Sequence, residues 1–516
     1  MKDEMAERIL GYARGVITGL EESETSLIYF VAFFLASVNL RSFLEVSFIH
    51  RSWDLMSLNT LLHISLFQVI TAAVVITVLH FLTGKDVVKV SKVILTFFLL
   101  INMVPIVANA LALFRPETGF VTFYITPENT PDVGSLIRRF LVIGGTVETT
   151  KHMGYMNAIR IFGVMNLFFT VLYFYLHNSK LLKSVLCTLV IYLCVFPIVS
   201  SPWWLHRIFS IFGTEFAHGH LKYVYALVTT LLVLVLLYRG ARDRFLRLLG
   251  ESKPLRLTHH CLIFVFGAAS AVYFSEEYVY RSFLLFDMVV MTLSITFAWL
   301  FYMMLKKMVY HQKYGSGPLE ISEYGTLMGV FGVLSMGYGL LVSPLAAFLA
   351  LVFMGNYFLY VSPPLYIRDI PIFSKLFVSA NSLLLFMLGW WLVKGDMVFD
   401  NGFPVMIVPI IALGMTACVN ITDLETVEHD RSVGRYSLAV IMGEGQAKLL
   451  IGLSFLLTYL SLYMIFDNLY VIIPCLIFGL TSMFLINRRE YSETPVLLFY
   501  SFSLVYLILA MLLGYV

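Results

Sequence analysis

The sequence predicts an all-α integral membrane protein of about fifteen transmembrane helices. Three observations carry that prediction. Hydrophobic residues make up 59% of the 516 positions and charged residues only 13%, with a mean hydropathy of +0.85; a soluble domain is about a quarter charged. Apolar runs of membrane-spanning length recur along the whole chain. Alternating strand-type patterns are absent, and in lipid only helices or closed barrels satisfy their own backbone.

The candidate spans fall in two groups. Six lie near 26–48, 62–83, 92–114, 159–177, 183–201 and 221–238, and nine near 258–274, 284–305, 324–341, 345–361, 373–392, 403–420, 449–466, 469–486 and 494–514. The charged N-terminus, "MKDEMAERILGYARG", does not read as a cleaved signal peptide. Between the groups stands "RGARDRFLRLLGESKPLRL", residues 239–257, the most basic stretch of the chain. The expected organisation is a six-helix membrane module of unknown function over 1–238, a basic cytoplasmic linker over 239–257 and a nine-helix bundle over 258–516.

Lys and Arg in short loops are retained in the cytoplasm. With alternating helices, the loops on the linker's side of the second half hold 16 Lys and Arg and the opposite loops hold 2. The first half follows the same sense with 8 against 6. This places the N-terminus inside and the C-terminus outside, in a multi-pass protein of the cell membrane. A net charge of +3 and the lack of a basic run interleaved with aromatics give no case for nucleic acid. The five cysteines sit singly in apolar runs and read as small core residues.

Other polar residues are weighed against ordinary roles. Arg41 and Glu45 lie four apart on the first predicted helix and read as a local neutralising pair. Asp287 lies near a helix end and is expected to meet water. Within 201–220, His206, Glu215, His218 and His220 could be read as a metal cluster, but Trp203 and Trp204 read better as an interfacial aromatic belt. The loop 115–158 is long enough for a small cap.

One charged island stands out. "NITDLETVEHDRSVG", residues 420–434, gathers Asp423, Glu425, Glu428, His429 and Asp430 between two uncharged runs. Asp423, Thr426 and Asp430 follow at spacings of three and four, which puts them on one helical face. Two carboxylates so placed suit Mg²⁺, which prefers carboxylates together with substrate phosphate oxygens, and Arg431 and Arg435 could meet the same phosphates. An ordinary solvated loop with acids paired to nearby arginines is the competing reading.

The run "TDLETVEHDRSVGRYSLAVIMGEGQA" resembles the second aspartate-rich motif of the UbiA-type intramembrane prenyltransferases, with Asp423, Glu425, Asp430, Arg431, Gly434, Ser437, Leu438, Gly443 and Ala447 in matching places. "YFLYVSPPLYIRDIPIFSK" is similar to a second loop of that family through Tyr360, Ser362, Pro364 and Arg368. The resemblance covers about residues 250–516 and implies nine helices, a prenyl diphosphate along the bundle with its diphosphate at the cytoplasmic end, and Mg²⁺ drawing off the leaving group before an aromatic or lipid acceptor attacks.

The chain departs from the family at the first aspartate motif. There it reads "KKMVYHQKYGSGPLEISEYG", with Lys306, Lys307, Tyr310, His311 and Lys313 and no acid before Glu320. Thr426 also stands where an aspartate is usual. Ammonium groups have no lone pair for a metal but bind diphosphate as point charges. The resemblance therefore implies a headgroup site with Asp423 and Asp430 as catalytic and metal-binding acids. Lys306, Lys307, Arg368, Arg431 and Arg435 would face the diphosphate, and Thr426, Tyr310 and Tyr360 would line the cavity. The expected partners are a prenyl diphosphate or other isoprenoid lipid and the surrounding membrane lipids. Two alternatives remain open: a noncatalytic relative that binds isoprenoid or scaffolds a membrane partner, and a transporter, against which the unequal halves count.

Overall fold

The computed structural model describes residues 2–44, 58–98, 130, 132–141, 167–177, 180–211, 218–240, 242–274, 284–315, 319–370, 373–395, 403–432, 434, 436–466 and 469–514. The candidate pair's Glu45, Arg435, Glu215, Pro318 and nearly all of the 115–158 loop fall outside these. The described residues are helical, with no strand among them. Eleven helices are long and apolar enough to cross a membrane, and Leu27–Phe43, Leu167–His177 and Val471–Ile486 are shorter apolar helices. The protein is an integral, multi-pass membrane protein. Of the five cysteines, all free, Cys187, Cys418 and Cys475 are buried.

The chain divides into two units, Met1–Phe245 and Leu246–Val516, and the division falls inside the basic segment. In the first unit, Lys2–Glu21, Leu27–Leu44, Leu58–Thr83, Leu181–Val199 and Leu221–Gly240 are the long helices. Phe34, Val38, Leu79, Val90, Phe98 and Phe174 are among its core side chains. Trp203 is buried, its indole N–H donating 2.6 Å to the Thr130 carbonyl, while the Trp204 indole donates to Pro197 O at 2.7 Å.

The second unit holds nine long helices among its described residues: α1 (Pro254–Tyr273), α2 (Leu284–Tyr314), α3 (Ile321–Val342), α4 (Pro344–Val361), α5 (Phe373–Lys394), α6 (Ile407–Glu425), α7 (Glu444–Ser461), α8 (Leu469–Ile486) and α9 (Glu493–Leu512). Pro254 and Pro344 open their helices at positions where a missing N–H costs nothing. Ser343 caps α4 by accepting from Ala346 N at 3.0 Å. Gly395 closes α5 in the left-handed region, φ 83°, its N–H on Trp391 O at 2.7 Å.

α1 and α5 cross at contact distance. A Cβ on Gly389 would lie 2.0 Å from Phe264 O, and one on Gly267 would lie 2.0 Å from Phe386 O. Small residues let helix backbones approach where lipid supplies no hydrophobic drive to associate. The interior is rich in aromatics, including Phe264, Trp299, Tyr302, Phe353, Tyr357 and Phe386.

Two boundaries differ from the sequence expectation. α2 does not stop near 305; its 31 residues run to Tyr314, about 46 Å at 1.5 Å per residue. That exceeds a hydrocarbon core of about 30 Å, so the helix carries Lys306, Lys307 and Tyr310 to and past the membrane edge, its polar last turns still closing their own backbone bonds. The island at 421–448 is also largely helical rather than a loop. α6 continues to Glu425, and short helices follow at Val427–Ser432 and Leu438–Met442.

Candidate headgroup site

The acids of the 420–434 island lie at one end of the bundle. α6 ends at Glu425, and α1, α5 and α9 begin at Pro254, Phe373 and Glu493 on the same side. Asp423 and Asp430 are buried, at 7% and 1% exposure. The expected single face across Asp423, Thr426 and Asp430 is interrupted, since Thr426 ends α6 with φ −110° and ψ 16°. The i, i+4 relation survives the break: Asp430 N donates to Thr426 O at 2.8 Å, and the Thr426 hydroxyl donates to Asp430 Oδ2 at 3.3 Å.

Asp423 has a partner that the motif did not predict. Lys375, at the start of α5, ion-pairs with Asp423 Oδ2, both side chains about 90% buried. Lys307 Nζ meets Glu251 Oε2 at 2.5 Å in a half-exposed pair. Lys306 lies half-buried beside it and Tyr310 is exposed. Tyr360 is buried, its ring 6.4 Å from that of Tyr357. Arg368 sits in the turn Ile367–Asp369 between α4 and α5, and Arg431 is exposed on Val427–Ser432.

A further charged group closes this end. Arg256 Nε and Nη2 donate to Glu493 Oε1 and Oε2 at 2.8 and 2.6 Å, joining α1 to α9 by a two-pronged bond. Lys253 stands just before α1 with φ 49°. Burial, then the neighbouring Arg256 charge, holds its ammonium below the ordinary lysine range; Glu493 opposes this, Lys307 adds to it and Glu425 opposes it. The Tyr491 hydroxyl donates to Ile421 O at 2.9 Å; burial, then Glu493 and Glu425, push it well above the usual tyrosine range. Beneath this end His260 Nδ1 donates to the Arg256 carbonyl at 2.8 Å and Nε2 pairs with the Tyr357 hydroxyl at 2.9 Å, against the Trp299 ring at 4.6 Å.

Among the described residues no group of three or more His, Cys, Asp or Glu could hold a metal ion. The carboxylate of Asp423 is occupied by an ammonium group. The residues present do not fit a resident Mg²⁺ site. His206, His218 and His220 form no such group either.

Lys375, Glu251, Arg256 and Glu493 were not singled out by the motif. Their signal was available in the sequence, since each is a charge beside or within a membrane-length apolar run, where ionisable residues are rare and paired.

The sequence pattern of the UbiA prenyltransferase family matches residues 315–513. No curated protein matches the chain. Among solved structures, a UbiA homologue from Archaeoglobus fulgidus bound to DMAPP and Mg²⁺ is 14% identical with a TM-score of 0.40, over 51% of this chain and 97% of that one. An apo UbiA homologue from Aeropyrum pernix K1 is 12% identical with a TM-score of 0.39, over 50% and 97%. A digeranylgeranylglyceryl phosphate synthase structure is 14% identical with a TM-score of 0.37, over 52% and 98%. That family match lies within the second unit and takes in both motifs singled out in the sequence, at 357–375 and 422–447.

Proposed function

We propose that the second unit is a membrane transferase of prenyl groups, which binds a prenyl diphosphate with its headgroup at the charged end of the bundle. The observation that supports this most is the burial of two acids, Asp423 and Asp430, the first of them ion-paired with Lys375, within the family-matched segment. Loss of diphosphate from an allylic carbon requires the leaving charge to be met in a water-poor site. Lys306, Lys307, Arg368 and Arg431 carry four positive charges toward that task, and Arg435 adds a fifth along the sequence. A diphosphate at the site would compete with Glu251 for Lys307 and with Asp423 for Lys375. The apolar interior of the bundle takes the isoprenoid tail.

We propose at most one Mg²⁺, carried in on the substrate diphosphate and reaching Asp423 or Asp430 only with it. Of the 16-to-2 loop charges the larger share lies at this end, which favours a cytoplasmic headgroup site in the cell membrane. We further propose that residues 1–238 act as a separate membrane module joined through the basic segment.

A second reading, a noncatalytic isoprenoid binder, is favoured by the ion pairs that already occupy Asp423 and Lys307. The purified full chain in lipid discs, incubated with a prenyl diphosphate and an extract of membrane acceptors, separates the two. Pyrophosphate release that is lost in Asp430→Ala supports the transferase. Binding without release leaves the noncatalytic binder.

A further inference from the structure

Helices α5 and α6 face each other along a polar seam inside the membrane-spanning region. Lys375 and Ser379 follow at i, i+4 on α5; Thr416, Asn420 and Asp423 follow at i, i+4, i+7 on α6, so each set shares a face. Contacts at two levels fix the register: the Lys375–Asp423 ion pair at the top and the Ser379–Thr416 hydroxyl contact of 3.0 Å below. Asn420 lies between these two levels, one turn from each on its own helix.

Counting hydrogens shows what the seam lacks. The Ser379 hydroxyl has a carbonyl of its own helix to donate to, Lys375 O at 2.8 Å, and the Thr416 hydroxyl has Ala412 O at 2.7 Å. Each hydroxyl has one hydrogen, so any bond between them is taken from one of those carbonyls and none remains to offer. The Asn420 amide gives one of its two hydrogens to Thr416 O at 2.8 Å. Its oxygen Oδ1 is buried with no partner, on a side chain 7% exposed.

Such an oxygen costs about 1–3 kcal/mol when left without a donor in the interior. Polar side chains do bind helices together in membranes, and Ser379 with Thr416 accounts for that role. It does not account for an asparagine that bonds only back along its own helix and leaves its acceptor buried and unmet on the face it shares with Thr416 and Asp423. The group that completes Asn420 is a hydrogen-bond donor small enough to enter between two helices.

We infer that Asn420 Oδ1 is the recognition point for a hydroxyl group on the acceptor molecule of the second unit, seated between α5 and α6 directly below the Asp423–Lys375 pair. The assignment rests on the transferase reading only for the word acceptor; the hydroxyl subsite itself stands on the seam. Three residues of α6 separate Asn420 from Asp423, a rise of about 4.5 Å, so a hydroxyl held there lies close beneath the proposed headgroup site. A hydroxyl compound and a water molecule offer the same O–H chemistry, and the experiment separates them.

Full-length protein in lipid discs is titrated with p-cresol and with 4-methylanisole, which has the same ring without the donor, after subtraction of empty discs. The expected result is a preference for p-cresol of about tenfold, the size of one unpaired buried acceptor. Asn420→Leu abolishes the preference, whereas Asn420→Asp, which keeps an acceptor oxygen, retains it. Equal affinity for the two probes, or binding of neither because a water alone fills the seam, overturns the proposal. So does a preference that survives Asn420→Leu. A nonhydrolysable prenyl diphosphate analogue is titrated in parallel. Its failure to bind, with the p-cresol preference intact, removes the transferase reading and leaves the hydroxyl subsite standing.

Discussion

Replacing Lys375 by Met tests the organisation of the charged end. The substitution keeps most of the side-chain length and removes the ammonium group that meets Asp423. Both members of the pair are about 90% buried, so the Asp423 carboxylate has little water to turn to. Breaking a buried pair by removing one partner costs about 3–5 kcal/mol, because an uncompensated charge is left behind. At ~1.4 kcal/mol per factor of ten, that raises the unfolding constant of the second unit by more than about 100-fold. The assay is equilibrium unfolding of the purified chain in mixed micelles. The control is the double substitution Lys375→Met with Asp423→Asn, which removes both charges and recovers most of the loss. A single substitution within about 0.5 kcal/mol of wild type, the range of an ordinary surface change, would refute the claim that the two side chains form a desolvated pair. So would a double variant no more stable than the single.

Other outcomes follow from separate features. Gly389→Ala forces a Cβ to within 2.0 Å of Phe264 O, so α1 and α5 must separate; loss of the monodisperse peak in size-exclusion chromatography is expected. Gly337→Ala, with nothing within 4 Å of the new Cβ, leaves the peak unchanged. Titration of the ligand-free protein with MgCl₂ alone shows no saturable binding in calorimetry, consistent with the lack of a three-residue metal group among the described residues. Asp132 accepts from Ser135 N at 2.7 Å and from the Ser135 hydroxyl at 3.0 Å, which holds its carboxyl below the ordinary aspartate value of 3.8. A depressed folded value means the cap is fully in place above the unfolded value and is lost as pH falls through the folded one; the carboxyl carbon shift of Asp132 is expected to titrate below pH 3.8.

Much of the fold is legible in the sequence because the membrane simplifies it. Fourteen of the fifteen apolar runs correspond to described helices, eleven of full spanning length and three shorter; the run near 92–114 lies largely outside the described residues. What the pattern could not give are contacts between elements far apart in the chain. Lys375 and Asp423 pair because α5 and α6 pack side by side, and nothing in the spacing of either stretch states that. Lys307 reads as a wall opposite the acids, yet its nearest anion is Glu251, fixed at the end of a short helix before α1. Hydropathy also ends a helix where charge begins, whereas α2 and α6 run on into their charged residues because the backbone bonds still close.

The central claim is that the charged end of the second unit receives a prenyl diphosphate. Calorimetric titration of the full chain in lipid discs with a nonhydrolysable geranyl diphosphate analogue, with and without Mg²⁺, tests it most directly. The account predicts saturable binding that Lys307→Ala weakens by about tenfold, the value of one charge-assisted hydrogen bond. Absence of binding in both conditions, or binding indifferent to Lys307→Ala and Arg368→Ala alike, would contradict it.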